Sequence, residues 1–191
     1  MNRRHSALTD WGLEHVRVGS RDVVLDVGCG GGRTIEKLAG LTSEGKVYGI
    51  DHAEESVAAA RRLNERLIQI GRVDVRQTSV SNLPFDANTF DLVTAIETHF
   101  WWPDMDRGMR EIERVLKPGG QVAVIAEFYN GGKHARYATR LMKATKIAAL
   151  DVDQHRELLS RAGFLDVKVS VHEPRGWICA VGTKPTSSQE G

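Results

Sequence analysis

Short runs of consecutive apolar residues alternate along this chain with stretches whose apolar positions recur every three or four residues. "DVVLDVG" (22–28), "KVYGID" (46–51), "VDVRQT" (73–78), "FDLVTAI" (90–96) and "QVAVIAEF" (121–128) have the length and β-rich composition of buried strands. Between the first two, "RTIEKLAGL" (33–41) repeats its apolar positions at helical spacing. "AEESVAAARRLNERLIQI" (53–70) predicts one long helix, with acids in the first turn and arginines later, as the helix dipole favours. In "MREIERVLKPGG", Met109, Ile112, Val115 and Leu116 share a helical face that stops at Pro118 and two glycines. Strands alternating with helices imply an α/β architecture, a parallel sheet covered on both faces. Near the end, "FLDVKVSVHE" and "WICAVGTK" are joined by only "PRG", too short for a crossover, so this last pair must be an antiparallel hairpin. Residues 1–184 are expected to form a single domain, and the tail 185–191, "PTSSQEG", is expected to lack order.

Composition narrows the classes. A chain of 191 residues, 41% apolar and 27% charged, suits one domain with a core of adequate size. Its 26 Lys and Arg nearly balance 25 Asp and Glu, so no global basic field exists to gather nucleic acid or an anionic membrane, and neither is expected as a partner. No run reaches the roughly 18 apolar residues of a membrane span, and "MNRRHSALTDW" has no apolar stretch after its arginines. A cytoplasmic protein is the expectation. Cys29 and Cys179 are too few for a disulfide framework or a Cys-rich zinc site, and both are expected as free thiols.

The densest chemical signal is "VLDVGCGGG" (24–32), between the first strand and the first helix. Gly28, Gly30 and Gly32 allow a sharp turn and close approach of a ligand to the backbone, while the following helix offers unpaired N–H groups. A tight connection with no ligand would read the same way. Asp51 tips the balance, since an acid ending the second strand can accept both ribose hydroxyl protons in a doubly wound fold. An adenosine-bearing ligand follows. In the dinucleotide fingerprint G-x-G-x-x-G the sixth position is glycine, whereas here it is Arg33, leaving the spacing G-x-G-x-G.

With Asp26 two residues ahead, this spacing resembles motif I of the class I S-adenosylmethionine-dependent methyltransferases. The resemblance continues through "VYGIDHAEES", "SNLPFDANTFDLV" and "RVLKPGGQVAV", covers about residues 20 to 128, and extends through "LLSRAGFLDVKV". It is greatest to the small-molecule, type 11-like branch. The family implies a Rossmann-like, doubly wound, seven-stranded sheet, mostly parallel with an antiparallel C-terminal hairpin strand, and S-adenosyl-L-methionine as cofactor. It also implies that Asp26 lies near the methionine amino end, that the backbone at Gly28 and Gly30 cradles the methionine moiety, that Asp51 holds the ribose and that His52 flanks the adenine. The carbonyl of Ile96 would face the cofactor's ammonium. Where the family commonly has an Asp to receive the adenine amino group, this chain has Ser79, followed by Val80; a neutral hydroxyl is a weaker acceptor. The implied chemistry is an in-line displacement at a sulfonium methyl, in which the protein aligns the nucleophile and excludes water, with no catalytic metal required. Members that methylate nucleobase or amide nitrogens often carry "NPPY" or "DPPY" after the fourth strand; "IETH" here favours a small-molecule acceptor.

"IETHFWWPD" (96–104) follows the fourth strand, at the edge where ligands bind in open α/β sheets. It is read as one wall of the acceptor pocket, with Glu97 near the cofactor's ammonium or orienting substrate, His99 as a base where the nucleophile must lose a proton, and Trp101 and Trp102 as an aromatic face. The structural alternative is that the indoles cap the next helix and His99 is merely hydrogen-bonded. Between Lys133 and Ala149, five basic residues and no acid give an amphipathic helix, with Lys133, Arg136, Arg140, Lys143 and Lys146 along one face. As a lid it would suit an anionic acceptor; as a solvated face it carries no chemistry. Two other functions stay open at this stage: a nicotinamide-dependent oxidoreductase, disfavoured by Arg33 and the terminal hairpin, and a non-catalytic cofactor-binding scaffold. No motif specifies the acceptor, the atom methylated or the oligomeric state.

Overall fold

The computed structural model describes residues 2–133, 140 and 149–186. Its strands are β1 (Val23–Val27), β2 (Lys46–Asp51), β3 (Val73–Gln77), β4 (Phe90–Ile96), β5 (Leu116–Ala126), β6 (Leu165–His172) and β7 (Trp177–Thr183). They form one seven-stranded sheet in the order β3-β2-β1-β4-β5-β7-β6. β1 to β5 are mutually parallel, and β7 runs antiparallel to both β5 and β6. The expected mixed sheet and terminal hairpin are therefore present. The chain order reverses between β1 and β4, which opens a crevice at their carboxyl ends.

Alternate residues of the central strands feed opposite faces. Leu25 and Val93 join one core cluster while Val24 and Leu92 join the other. The first face is covered by α5 (Met105–Val115) and α6 (Val152–Arg161), which bury Met109, Ile112 and Val115 and Leu158 and Leu159. The second is covered by α2 (Arg33–Leu41) and α3 (Glu54–Leu63), through Ile35, Leu38, Val57 and Ala60. An unexpected helix, α1 (Asn2–Leu13), lies over β5 and β7, where Leu8 is 1% exposed and Gly12 faces Ile125 so closely that any Cβ would collide with it. Only a few apolar residues, Leu8 and Trp11 among them, carry this packing, which is why periodicity did not disclose the helix.

The long helix expected over 53–70 is broken. Asn64, 1% exposed, donates from Nδ2 to the carbonyls of Ala60 and Gly32, both at 3.0 Å, ending α3 and fastening it to the loop that precedes α2. A short α4 (Glu65–Gln69) follows. Leu116, read as the end of a helical face, opens β5 instead: it pairs with Phe90, and the register then shifts until Gln121 pairs with Leu92. Pro118 explains the change, since it disfavours helical backbone at Lys117. Of the basic helix, all but Lys133, Arg140 and Ala149 lie outside the described residues, as do residues 187–191 of the tail. No helix among the described residues is long and apolar enough to cross a membrane.

Candidate active site

The carboxyl ends of β1, β2, β3 and β4 converge on a cleft of about 430 Å³. Its floor is Val27, Gly28, Ile50 and Asp51. One wall is His52, Ala53 and Ser56 with Thr78, Ser79 and Val80, and the other is Glu97, Thr98, Trp101, Trp102 and Pro103.

The glycine loop is shaped from two sides. The N–H groups of Gly28 and Cys29 both donate to the carbonyl of Ile50, at 2.8 and 2.9 Å, tying the loop to the end of β2. Gly28 has φ of 73°, and a Cβ there would fall on the Thr98 hydroxyl, so both conformation and space require glycine. At Gly30 and Gly31, by contrast, an added Cβ would meet nothing within 4 Å. The backbone there borders open space, as a cradle for a ligand must.

Asp51 is 8% exposed and both its oxygens are engaged: Oδ2 accepts the Gly30 N–H and Oδ1 the Ala53 N–H, each at 2.9 Å. A carboxylate oxygen has two lone-pair sites, so a ribose diol remains within its capacity. Asp26 lies behind the floor, 2% exposed, and accepts from the Thr94 hydroxyl at 2.7 Å. Burial pushes its carboxyl up to about 7, with the Thr94 bond opposing and Asp51's charge adding to the rise. Neither Asp26 nor Ile96 borders the cleft itself. Ile96 packs instead beside the α1 contact, and the next residue, Glu97, takes the position at the cleft.

Glu97 adopts φ of 59°, a left-handed conformation that costs a non-glycine residue about 1–3 kcal/mol. Its N–H donates to Ile125 at 2.9 Å and its Oε1 accepts the N–H of Glu127, so main chain and side chain are both held by the end of β5. Burial pushes this carboxyl up to about 8; the Glu127 N–H opposes the shift and the Glu127 charge adds to it.

The two tryptophans separate in role. Trp101 is 55% exposed and stands at the cleft. Trp102 is half-buried, donates from Nε1 to the Thr98 hydroxyl at 3.2 Å and lies against Gly108 of α5, where a Cβ would come within 2.9 Å of the indole. Each indole thus borders the cleft, and that of Trp102 also packs on the next helix.

His99 is corrected. It does not border the cleft but is 1% exposed behind it, with its Nε2 3.3 Å from Nε2 of His155. His155 Nδ1 lies 2.7 Å from the carbonyl of Asp151 and must donate to it, so His155 Nε2 is the acceptor and His99 Nε2 carries the proton. His99 Nδ1 is then a bare acceptor, with no partner among the described residues. Burial and the neighbouring imidazole hold His99 well below the ordinary histidine range, and burial lowers His155 too. A proton acceptor for an incoming nucleophile must reach the cleft, and this imidazole does not.

His52, Ser79 and Val80 stand together on one wall; Ser79 Oγ already accepts from the N–H of Ser81 at 3.2 Å. The sequence reading did not single out Thr98, Ser56, Thr78 or Pro103. Thr98 sat in plain view between Glu97 and His99, but only the closeness of Gly28 shows its importance.

Comparison with known proteins completes the picture. The profile of a methyltransferase-domain family matches residues 25–124, from β1 to β5 and more than half of the chain. The chain belongs to this family. It is a class I S-adenosylmethionine-dependent methyltransferase, and S-adenosylmethionine is its cofactor. The uncharacterized methyltransferase YdaC of Bacillus subtilis is 25% identical over 98% of this chain and 97% of its own length. The methyltransferase GfsG of Streptomyces halstedii is 32% identical over 82% of this chain but only 57% of its own, so the chain spans little more than half of that relative. The geranyl diphosphate C-methyltransferase of Streptomyces coelicolor, solved with S-adenosylhomocysteine, shares the fold with a TM-score of 0.82 at 14% identity, over 95% of this chain and 80% of its own. The cleft and the glycine loop beside it fit such a cofactor: unobstructed backbone at Gly30 and Gly31, a buried carboxylate at Asp51 with capacity to accept a diol, and the carboxyl of Glu97 on the opposite wall for a cationic group.

Proposed function

We propose that this methyltransferase acts on a small-molecule acceptor that enters over Trp101. The observation that carries this reading is the wall formed by Glu97, Thr98 and Trp101–Pro103, which closes the same cleft as the glycine loop and Asp51. The volume, about 430 Å³, lies in the small-ligand range. Asp51 holds the ribose diol, the backbone at Gly28 and Gly30 supports the methionine portion, His52, Ser79 and Val80 surround the adenine, and Glu97 faces the cationic end with Asp26 and the Ile96 carbonyl behind it. When bound, S-adenosylmethionine supplies a methyl group on a positively charged sulfur, open to in-line attack. The chain's own task is alignment and exclusion of water, for which the indole of Trp101 is suited. The anionic acceptor suggested by the basic helix rests on residues outside the described ones. The described walls carry Asp51 and Glu97 and no Lys or Arg, which supports an acceptor presenting an uncharged face.

Calorimetry should detect S-adenosylmethionine binding and none of NAD, and a methyl-transfer screen should find turnover with uncharged small acceptors. Trp101→Ala should raise the acceptor's KM while stability stays within about 0.5 kcal/mol, as for an exposed side chain. Trp102→Phe should lower stability by about 1 kcal/mol through loss of the bond to Thr98. Transfer to nucleic acid or protein alone, or an unchanged KM in Trp101→Ala, would refute the small-molecule wall.

A further inference from the structure

The amino-acid end of S-adenosylmethionine carries a carboxylate beside its ammonium, and no Lys or Arg among the described lining residues of the cleft is there to receive it. The N–H groups of the glycine loop are the obvious donors, since a strand-to-helix turn can direct them at an anion. This loop has spent them on itself and on β2. Gly28 and Cys29 donate to the carbonyl of Ile50, Gly30 to Asp51 and Gly32 to the carbonyl of Cys29, at 2.8 to 3.0 Å. Of the N–H groups from 28 to 32, that of Gly31 alone has no acceptor among the described residues. One amide leaves most of the lone-pair sites of a carboxylate unmet.

Thr98 holds a further donor. Its hydroxyl lies against Gly28, where a Cβ would fall on it, and the residue also lines the cleft. The indole N–H of Trp102 donates to this oxygen at 3.2 Å. An indole nitrogen can only donate, so the hydroxyl's own proton cannot be spent on Trp102. That proton has no acceptor among the described residues. The other hydroxyls at the cleft, those of Ser56, Thr78 and Ser79, stand on the opposite wall, and that of Thr78 already donates to Asn82. Glu97, the acid on the same wall as Thr98, directly precedes it. Because the cofactor's ammonium and carboxylate share one carbon, an acid and a donor that meet them must also stand side by side.

We propose that Thr98 is a binding residue for the carboxylate of the cofactor's methionine portion: its hydroxyl, oriented by the Trp102 indole, donates to that carboxylate while Glu97 beside it takes the ammonium. The inference rests on the assignment of this cleft to S-adenosylmethionine, with the amino-acid end at the glycine loop. Two adjacent residues of one wall then receive the two charges of the amino acid. S-Adenosylhomocysteine carries the same carboxylate, so cofactor and product are held alike. Trp102 in turn orients a cofactor contact as well as packing on α5.

The test is calorimetric titration of the whole protein with S-adenosylmethionine, S-adenosylhomocysteine and decarboxylated S-adenosylmethionine, which lacks only the carboxylate. The wild-type protein should bind the decarboxylated form at least about tenfold more weakly than S-adenosylmethionine. Thr98→Val keeps the shape of the side chain and removes the donor. It should weaken S-adenosylmethionine and S-adenosylhomocysteine by about ten- to a hundredfold, the scale of a bond to a charged group, and leave the decarboxylated form within about threefold of its wild-type affinity. Thr98→Ser, which keeps the hydroxyl, should bind all three ligands as the wild type does. The double variant Thr98→Val, Trp102→Phe leaves no indole N–H without its acceptor and should repeat the pattern of Thr98→Val, so the outcome does not hang on the folding of the single variant. Equal weakening of all three ligands would reduce the hydroxyl to a tie within the wall and overturn the proposal, as would unchanged affinity for S-adenosylmethionine in Thr98→Val. Wild-type binding of the carboxylated and decarboxylated forms alike sinks this inference alone, whereas absence of binding by S-adenosylmethionine and S-adenosylhomocysteine sinks the cofactor assignment with it.

Discussion

Replacing Asp51 with alanine tests the cleft at its most connected residue. The carboxylate holds the N–H groups of Gly30 and Ala53, so Asp51→Ala leaves both without an acceptor and unties the glycine loop from the start of α3. Hydrogen bonds to a charged group contribute roughly 1.5–3 kcal/mol each, but water can reach part of this site, so the two together should lower stability by about 2–4 kcal/mol. Loss of the ribose acceptor adds a separate effect of roughly 1.5–3 kcal/mol on binding, a loss of ten- to a hundredfold in affinity for S-adenosylmethionine. Asp51→Asn divides the two. Its amide keeps one oxygen acceptor but turns an NH₂ towards the second N–H, so it should lose stability too, by less than alanine does. Denaturant unfolding measures the first effect and calorimetry the second, on the same protein. Lower stability with unchanged affinity would reduce Asp51 to a loop anchor, and neither effect would refute the account of the cleft.

Gly28→Ala combines a left-handed φ with overlap on Thr98, and should lower stability by about 2–4 kcal/mol, read by thermal unfolding. Gly31→Ala, where a Cβ meets nothing, should unfold like the parent yet bind S-adenosylmethionine at least about fivefold more weakly because the new methyl occupies the cradle; parental affinity would show that the ligand does not approach there. Because His99 and His155 are both held below the ordinary histidine value, the unfolded chain binds more protons than the folded one below about pH 6.5, and stability must fall as pH drops from there. The double variant His99→Phe, His155→Leu should show a shallower acid limb in unfolding measured between pH 7 and 5, and an unchanged limb would mean that the pair is not buried as a neutral unit.

Much of the architecture was legible because it rests on local pattern. β2, β4 and α2 fall on the residues that their hydrophobic runs marked, and the hairpin followed from a connection of a few residues. What pattern missed depends on contacts distant in sequence. Nothing local breaks the helix at Asn64; its amide does so by reaching Gly32. Nothing local buries His99 either, since its partner His155 lies 56 positions away on another helix. The glycine loop and Asp51 were recognisable because spacing alone implies their chemistry, whereas the fit of Gly28 against Thr98 exists only after β1 and β4 pair.

The run that follows β4 shows why residue types there are poor guides to role. Glu97 is held by Ile125 of β5 and by Glu127, just beyond the end of that strand. Thr98 takes the indole N–H of Trp102, His99 donates to the imidazole at α6, and Asp104 accepts the N–H of Arg107 to cap α5. The side chains of Glu97, His99 and Asp104 thus tie the segment to the end of β5, to α6 and to α5, that of Thr98 binds the run to itself, and the exposed indole of Trp101 borders the cleft. Such fastening is what an alignment-dependent reaction requires of the protein, because the gain from holding two reactants in line is lost when the wall between them moves by an ångström. The imidazole that looked like a base by composition is thus fastened behind the wall against His155 of α6, out of reach of the cleft.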